Sequence, residues 1–374
     1  MRTASTIRRV RLAVIVGGVA GVLGALCVIA ELCFRFPDYL VYNDARAFYS
    51  NHIDALRLLL LASIVSTFVL GCISVLLLPR FSHAAMGLIL GVIAILLGGP
   101  EAEAVTSRPR ALSAGLDYFV LSLLVLALLF VPMERVWPLR TQRILRTAWQ
   151  TDFVHFFANH VTVQLVAFFS LVPVQILFSW AINNPLQRAI VAQPLWLQLI
   201  QILVTVELTS YWAHRAFHQV PALWRFHAIH HSVEQMDWLA GSRLHIVDVV
   251  ITRLAGFLPV FILGFSPAAL YSYLIFVSFH AVYIHANVSH RWPWIRQVFT
   301  TPEFHHWHHA VEPAAVDKNF AVLLSCIDSL FGTAYRPGRW PSAYGVIGVK
   351  PPPGYWNQFL FPFRRAARNE SPPD

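Results

Sequence analysis

The sequence predicts an all-α integral membrane protein, a polytopic helical bundle with a histidine-rich di-metal domain at its cytoplasmic face. Three observations lead there. Hydrophobic residues make up 57% of the 374 residues and charged residues only 13%, an apolar excess unlike that of water-soluble domains. The apolar residues fall in runs of roughly twenty, enough for a helix rising about 1.5 Å per residue to cross a hydrocarbon core of about 30 Å. Finally, most of the 17 histidines lie within residues 211–309.

The first span, residues 12–30, is uncharged and follows Arg2, Arg8, Arg9 and Arg11. It reads as a retained anchor; the rival reading is a cleaved signal peptide, because Val28-Ile29-Ala30 resembles a cleavage site. Either way the chain emerges outside, and residues 31–54, with Asp38, Asp44 and Asp54, read as an external loop. The second span covers residues 56–78 and stops at Pro79-Arg80. The third, 84–99, is short and contains glycine. The fourth, 116–133, leads into a connector with Arg135, Arg140, Arg143 and Arg146. Loops on the cytoplasmic side carry an excess of arginine and lysine. Four crossings put both arginine clusters on that side.

Residues 153–180 are aromatic and apolar and predict a fifth crossing, with His155 and His160 interfacial or packed near its start. A turn region, 183–194, carries Pro185 and Pro194. The sixth crossing, 195–212, runs into His214, and an even number of crossings puts the histidines at the cytoplasmic face. Residues 246–288 predict a hairpin of two apolar helices broken at Gly264 and Pro267. Arg253 within it is expected at the interface or facing the bundle, since an arginine at the bilayer centre is costly. The chain is polar from Arg291 onward, and its charged tail after Phe363 is expected to be disordered. The domains predicted are 1–133 (transmembrane), 134–340 (catalytic) and 341–374 (C-terminal segment).

The net charge is +9. Because the arginines flank apolar runs, this balance reads as contact with a membrane surface and not with nucleic acid. Cys27, Cys33, Cys72 and Cys326 form no Cys-x-x-Cys, which argues against a disulfide scaffold or a thiolate metal site.

The histidines form three clusters: His214 and His218; His227, His230 and His231; and His305, His308 and His309, with His306 between. Positions i, i+3 and i+4 of a helix lie on one side, so each cluster is expected to aim its rings together. Imidazole suits zinc, copper, iron and nickel. So many rings near an apolar boundary for structural reasons alone would lack assured partners. No cluster contains the His-Glu-x-x-His of zinc proteases. The Glu-x-x-His pairs of soluble di-iron proteins occur only once, as Glu303 and His306. A histidine-only set of eight or more ligands fits a two-metal centre.

These motifs resemble those of the fatty acid hydroxylase/sterol desaturase superfamily of membrane-bound non-haem di-iron enzymes. The matching residues are His214-Arg215-Ala216-Phe217-His218 and Phe226-His227-Ala228-Ile229-His230-His231. They continue with Arg243-Leu244-His245, His285-Ala286-Asn287, Thr301-Pro302-Glu303-Phe304-His305, and His308-His309. The closing stretch is Asp328-Ser329-Leu330-Phe331-Gly332-Thr333. The resemblance covers residues 152–337. Ile327 stands where the family usually has tryptophan, and Ala321 where it has glycine.

The resemblance implies that His214, His218, His227, His230, His231, His305, His308 and His309 are catalytic metal ligands, with His285 as a further one. His245 matches as a ligand, a group behind the ligands or a helix cap. Asn287 and Asp328 match as groups that orient ligands or water, or as an ordinary cap or turn. His280 and His290 are open between ligand and packing roles, and His306 between a place behind the ligands and the surface. The implied cofactors are two iron ions, with O2 as co-substrate. The implied reaction is hydroxylation or desaturation of a C–H bond in a lipid.

The chain carries no Cys-x-x-Cys-His, nucleotide-binding glycine motif or iron–sulfur cysteine set. The expected partners are therefore the lipid, the membrane and a separate electron donor: a ferredoxin, cytochrome or pterin. The expected location is the bacterial inner membrane, with the metal site on the cytoplasmic side. The competing class is a histidine-rich membrane protein that binds or transports metal without oxygenase activity. Fatty acyl lipids, ether lipids, sterol-like or hopanoid compounds and carotenoids all remain as substrates.

Overall fold

The computed structural model describes residues 4–42, 46–77, 82–101, 113–182 and 184–364. Arg2, the expected stop at Pro79-Arg80, Asn183 and the tail from residue 365 lie outside the described residues. Among the described residues the secondary structure is helical, with two isolated bridges, Pro138 to Val288 and Ala310 to Tyr344. The chain divides into two compact units: residues 1–123 with 160–164, and residues 124–159 with 165–374. The division falls inside the helix expected as the fourth crossing.

In the first unit α1 (Ala4–Arg35), α2 (Ile53–Leu77) and α3 (Ser82–Leu96) pack together. α1 and α3 cross closely because both present small residues. A Cβ added at Gly87 would lie 2.9 Å from the Ala20 backbone, and one at Gly24 would lie 2.8 Å from Leu90 Cβ. Such residues let apolar helices pack where water supplies no driving force. α1 and α2 are long and apolar enough to cross a membrane. α3 is shorter, and its apolar stretch is Ala85–Leu96.

α4 (Leu116–Val136) also passes the length and apolarity test. The fifth predicted crossing is two helices, α5 (Trp149–Val161) and α6 (Val163–Leu177), bent by 55° at their junction. The sixth predicted crossing is one continuous helix. α7 (Leu195–Gln219) is a 25-residue helix but is not among the candidate spans. Its polar side chains are turned into the protein. Gln198 bonds the carbonyl of Gln193 and accepts from Ser266 N, and Glu207 Oε1 accepts from Val322 N and Leu323 N. The crossing count therefore no longer fixes the side on which the histidines lie.

α8 (Pro221–His231) begins on a proline, which suits the first helical position because its missing N–H has no intrahelical partner there. The predicted hairpin is α9 (Ile246–Leu263) and α10 (Pro267–His285), both candidate spans. Ser266 Oγ accepts from Ala269 N at the start of α10. α11 (Pro302–His308) is capped by Thr301, and α12 (Cys326–Leu330) closes the histidine region. Residues 341–364 pack back into the same unit instead of standing apart. Val311 N donates to Ala343 O and Gly345 N to His309 O.

Candidate metal centre

Four elements of the second unit deliver the rings. α7 ends in His214 and His218, α8 in His227, His230 and His231, and α10 in His285; α11 supplies His305 and His308, with His309 at its end. Nine imidazoles form two groups, each with ligand atoms within 4.8 Å of one another. The first holds His214, His218, His227, His231 and His308; the second holds His230, His285, His305 and His309.

The sorting follows helix geometry, and it corrects the expectation that each cluster faces one way. The i, i+4 pairs 214/218, 227/231 and 305/309 each stay in one group, while His230 and His308 join the other. At 3.6 residues per turn, positions i+3 and i+4 point about 100° apart. One short helix thus serves two neighbouring sites. The groups adjoin, with the His231 and His309 rings stacked at 4.5 Å between centroids.

Hydrogen bonds fix which nitrogen is free. Carbonyl oxygens only accept, so His214 Nδ1 donates to Phe320 O (2.6 Å), His308 Nδ1 to Lys318 O (2.9 Å) and His285 Nδ1 to Ala281 O (2.7 Å). His227 Nδ1 donates to Asp248 Oδ2 at 2.7 Å, and His218 Nδ1 lies 3.3 Å from Asp317 Oδ1. In a neutral ring the Nε2 then carries a lone pair. His214 Nε2 and His227 Nε2 face each other at 2.9 Å, and neither has a proton to share. The buried Nε2 atoms of His218, His231 and His308 have no protein partner. Burial, reinforced by neighbouring imidazoles, holds His227, His230, His231, His305, His308 and His309 well below the usual imidazole range. Neutral rings with opposed lone pairs call for cations between them. The donor set fits a pair of first-row transition-metal ions, iron included.

The remaining predicted residues take other places. His245 caps α9: its Nδ1 accepts from Val247 N, and Nε2 bonds Phe359 O. It touches no ligand ring through these bonds, and of the three places open to it from the sequence it takes the helix cap. Asn287 ties the arginine connector down through Arg140 N and Arg140 O. Asp328 acts at one remove. Its oxygens accept from Phe320 N, Ala321 N and Thr333 Oγ1, fixing the loop whose Phe320 carbonyl orients His214.

His306 is fully buried and bonds Tyr344 OH at 2.8 Å, which removes the surface reading. His290 bonds Tyr283 OH, and neither it nor His280 is in a group. Glu303 pairs with Arg291 and Arg296 instead of reaching a metal position. His155 packs between Leu244 O and Gln358. Ile327 and Ala321 are buried with Tyr211, Phe320, Leu323 and Leu324, so the family departures fill core space.

Asp248, Asp317, Glu207 and the carbonyls of Phe320 and Lys318 were missed by sequence reasoning. An acid in the first turn of an apolar helix was a usable signal for Asp248; a carbonyl offers none. Also missed was a buried ion network: Asp152 pairs with Arg146 (2.6 Å) and Arg243 (2.5 Å), and Arg146 with Asp237 (2.8 Å). Arg243 also bonds Ser232 O just after α8.

Residues 199–333 match the profile of the fatty acid hydroxylase family. This histidine-bearing stretch is therefore similar to the fatty acid hydroxylase family. Among curated proteins, the chain is 34% identical over 178 residues to ornithine lipid hydroxylase OlsE of Rhizobium tropici, covering 47% of the chain and 54% of that protein. It is 30% identical over 135 residues to human alkylglycerol monooxygenase, covering 34% and 28%. It is 26% identical over 141 residues to methylsterol monooxygenase 1-3 of Arabidopsis thaliana, covering 36% and 47%. The chain thus spans about half or less of the length of these relatives. No solved structure matches.

Proposed function

We propose that this protein is a membrane-bound lipid hydroxylase whose two histidine groups hold a pair of iron ions. The observation that carries this reading is the meeting of nine imidazoles from four elements, with opposed Nε2 atoms at 2.9–3.2 Å. Such a pair, when bound, supplies the O2 chemistry that replaces a C–H bond by C–OH, with electrons from a separate donor.

The chain's own residues do the rest. Phe320 O, Lys318 O, Ala281 O, Asp248 and Asp317 keep protons on Nδ1 and leave Nε2 for metal. The ion network of Asp152, Arg243, Arg146 and Asp237 holds the end of α8 against the arginine connector. Candidate spans α9 and α10 adjoin the site, since α9 carries Asp248 and α10 ends in His285. A lipid tail in the bilayer thus has a short path to the histidines, and burial of the rings excludes water from the reacting carbon. The arginine connector contacts this shell through Arg140 and Arg146, and its positive charge favours the cytoplasmic side.

The three relatives are named for ornithine lipid, alkylglycerol and methylsterol substrates, which supports an amphiphile with a polar head as substrate. The test is to express the chain in a host lacking such an enzyme and analyse its lipids by mass spectrometry. A gain of one oxygen in a lipid class, absent for His305→Ala, is expected. A loss of two hydrogens would assign desaturation, and unchanged lipids with an intact metal load would sink the proposal.

A further inference from the structure

The two histidine groups differ in what stands behind the rings. In the five-histidine group, His214, His218, His227 and His308 each have an oxygen facing Nδ1: Phe320 O, Asp317, Asp248 and Lys318 O. In the four-histidine group His285 has Ala281 O, and the Arg243 backbone stands against His230. The buried Nδ1 atoms of His305 and His309 have no hydrogen-bond partner.

This difference governs what each group does without metal. Four rings of the first group are locked with Nε2 bare, so the 2.9 Å contact between His214 and His227 joins two lone pairs. No tautomer change relieves it unless an Nδ1 bond breaks. In the second group His285 Nε2 is bare, and His305 Nε2 lies 3.0 Å and His230 Nε2 3.2 Å away. His305 is not held to one tautomer, so it can carry its proton on Nε2 and donate it to His285. His309 Nε2, 3.2 Å from His305 Nε2, has the same freedom. The second group can turn its closest contact into a hydrogen bond; the first cannot.

We propose that the groups bind metal unequally, the five-histidine group taking the first ion tightly and the four-histidine group the second ion more weakly. Metal entering the second group must displace that hydrogen bond and leave protons on the Nδ1 atoms of His305 and His309, which have no acceptor. Metal entering the first group meets lone pairs already in place. Partners behind the ligands typically change metal affinity 10–100-fold, which sets the expected gap. This rests on the metal-centre reading above.

The experiment is an anaerobic titration of the metal-free, full-length protein in detergent with Fe(II), and in parallel with Co(II) for its absorption spectrum. Two uptake phases separated by at least tenfold are expected. His309→Ala should lose the weak phase alone. Asp248→Leu should weaken the tight phase 10–100-fold and leave the weak one, while Asp248→Asn, which keeps an acceptor, should retain most of the affinity. In the unmodified protein, chelator should remove one ion well before the other, which tests the proposal even if the variants misfold. Two equivalent ions in a single phase, or loss of the tight phase in His309→Ala, would overturn it. No metal uptake at all would instead overturn the metal-centre reading on which it stands.

Discussion

The backbone carbonyl of Phe320 stands 2.6 Å from Nδ1 of His214 and sets which nitrogen that ring offers to metal. The carbonyl is itself held in place. Asp328 accepts from Phe320 N and Ala321 N at 2.8 Å each, and Glu207 accepts from Val322 N and Leu323 N. Two buried carboxylates on different helices thus fix four successive peptide N–H groups.

Replacing Asp328 by alanine strands the buried Phe320 and Ala321 N–H groups, each costing about 1–3 kcal/mol. We expect a loss of about 3 kcal/mol and a lower metal content. Thermal unfolding in detergent, read beside metal analysis, checks both. Unchanged metal content would show that Phe320 does not depend on this carboxylate.

Arg243→Ala leaves Asp152 with Arg146 alone. Breaking a buried ion pair from one side costs about 3–5 kcal/mol. Arg243→Lys should recover only part of that, because an ammonium does not reproduce the guanidinium fork that reaches both Asp152 and Ser232. Denaturation midpoints of the two variants decide this.

Gly241 lies against the centre: a Cβ there would be 2.8 Å from His285 Nδ1 and 3.1 Å from its Cγ. The His285 ring is held by Ala281 O and cannot yield freely. Gly241→Val is therefore expected to displace His285 and cut metal content to about one ion per chain, with activity lost. Retention of both ions would count against the tight fit.

Acid should weaken the metal-free protein in a defined direction. Burial depresses the folded-state pKa of His227, His230, His231, His305, His308 and His309 well below the unperturbed value of about 6.5. Above about 6.5 these rings are neutral folded or unfolded, and pH does not discriminate between the states through them. As pH falls below that value the unfolded chain binds protons that the folded one resists, so stability declines down to the folded pKa values. Unfolding temperature recorded from pH 7.5 to 5 should fall with acid. Bound metal should flatten the upper part of that curve, because protons must then compete with it.

The helices that pass the membrane test were legible because length and apolarity depend only on residue type. α7 falls outside that test for a related reason. Gln198, Gln201 and Glu207 interrupt its apolar run, and their cost or benefit depends on partners that periodicity does not reveal. The bend between α5 and α6 was likewise invisible in a continuous apolar stretch.

For the centre, the spacing of the histidines determined which rings travel together: residues four apart on a helix stay on one face wherever the helix goes. That much belongs to the covalent chain and the 3.6-residue turn. Tertiary structure decided that His230 and His308 cross to the opposite group, and that His285 joins from an apolar helix with no second ring beside it. It also decided that backbone carbonyls of Phe320, Lys318 and Ala281 lock the tautomers. Every residue has a carbonyl, so its role is set by where the fold points it.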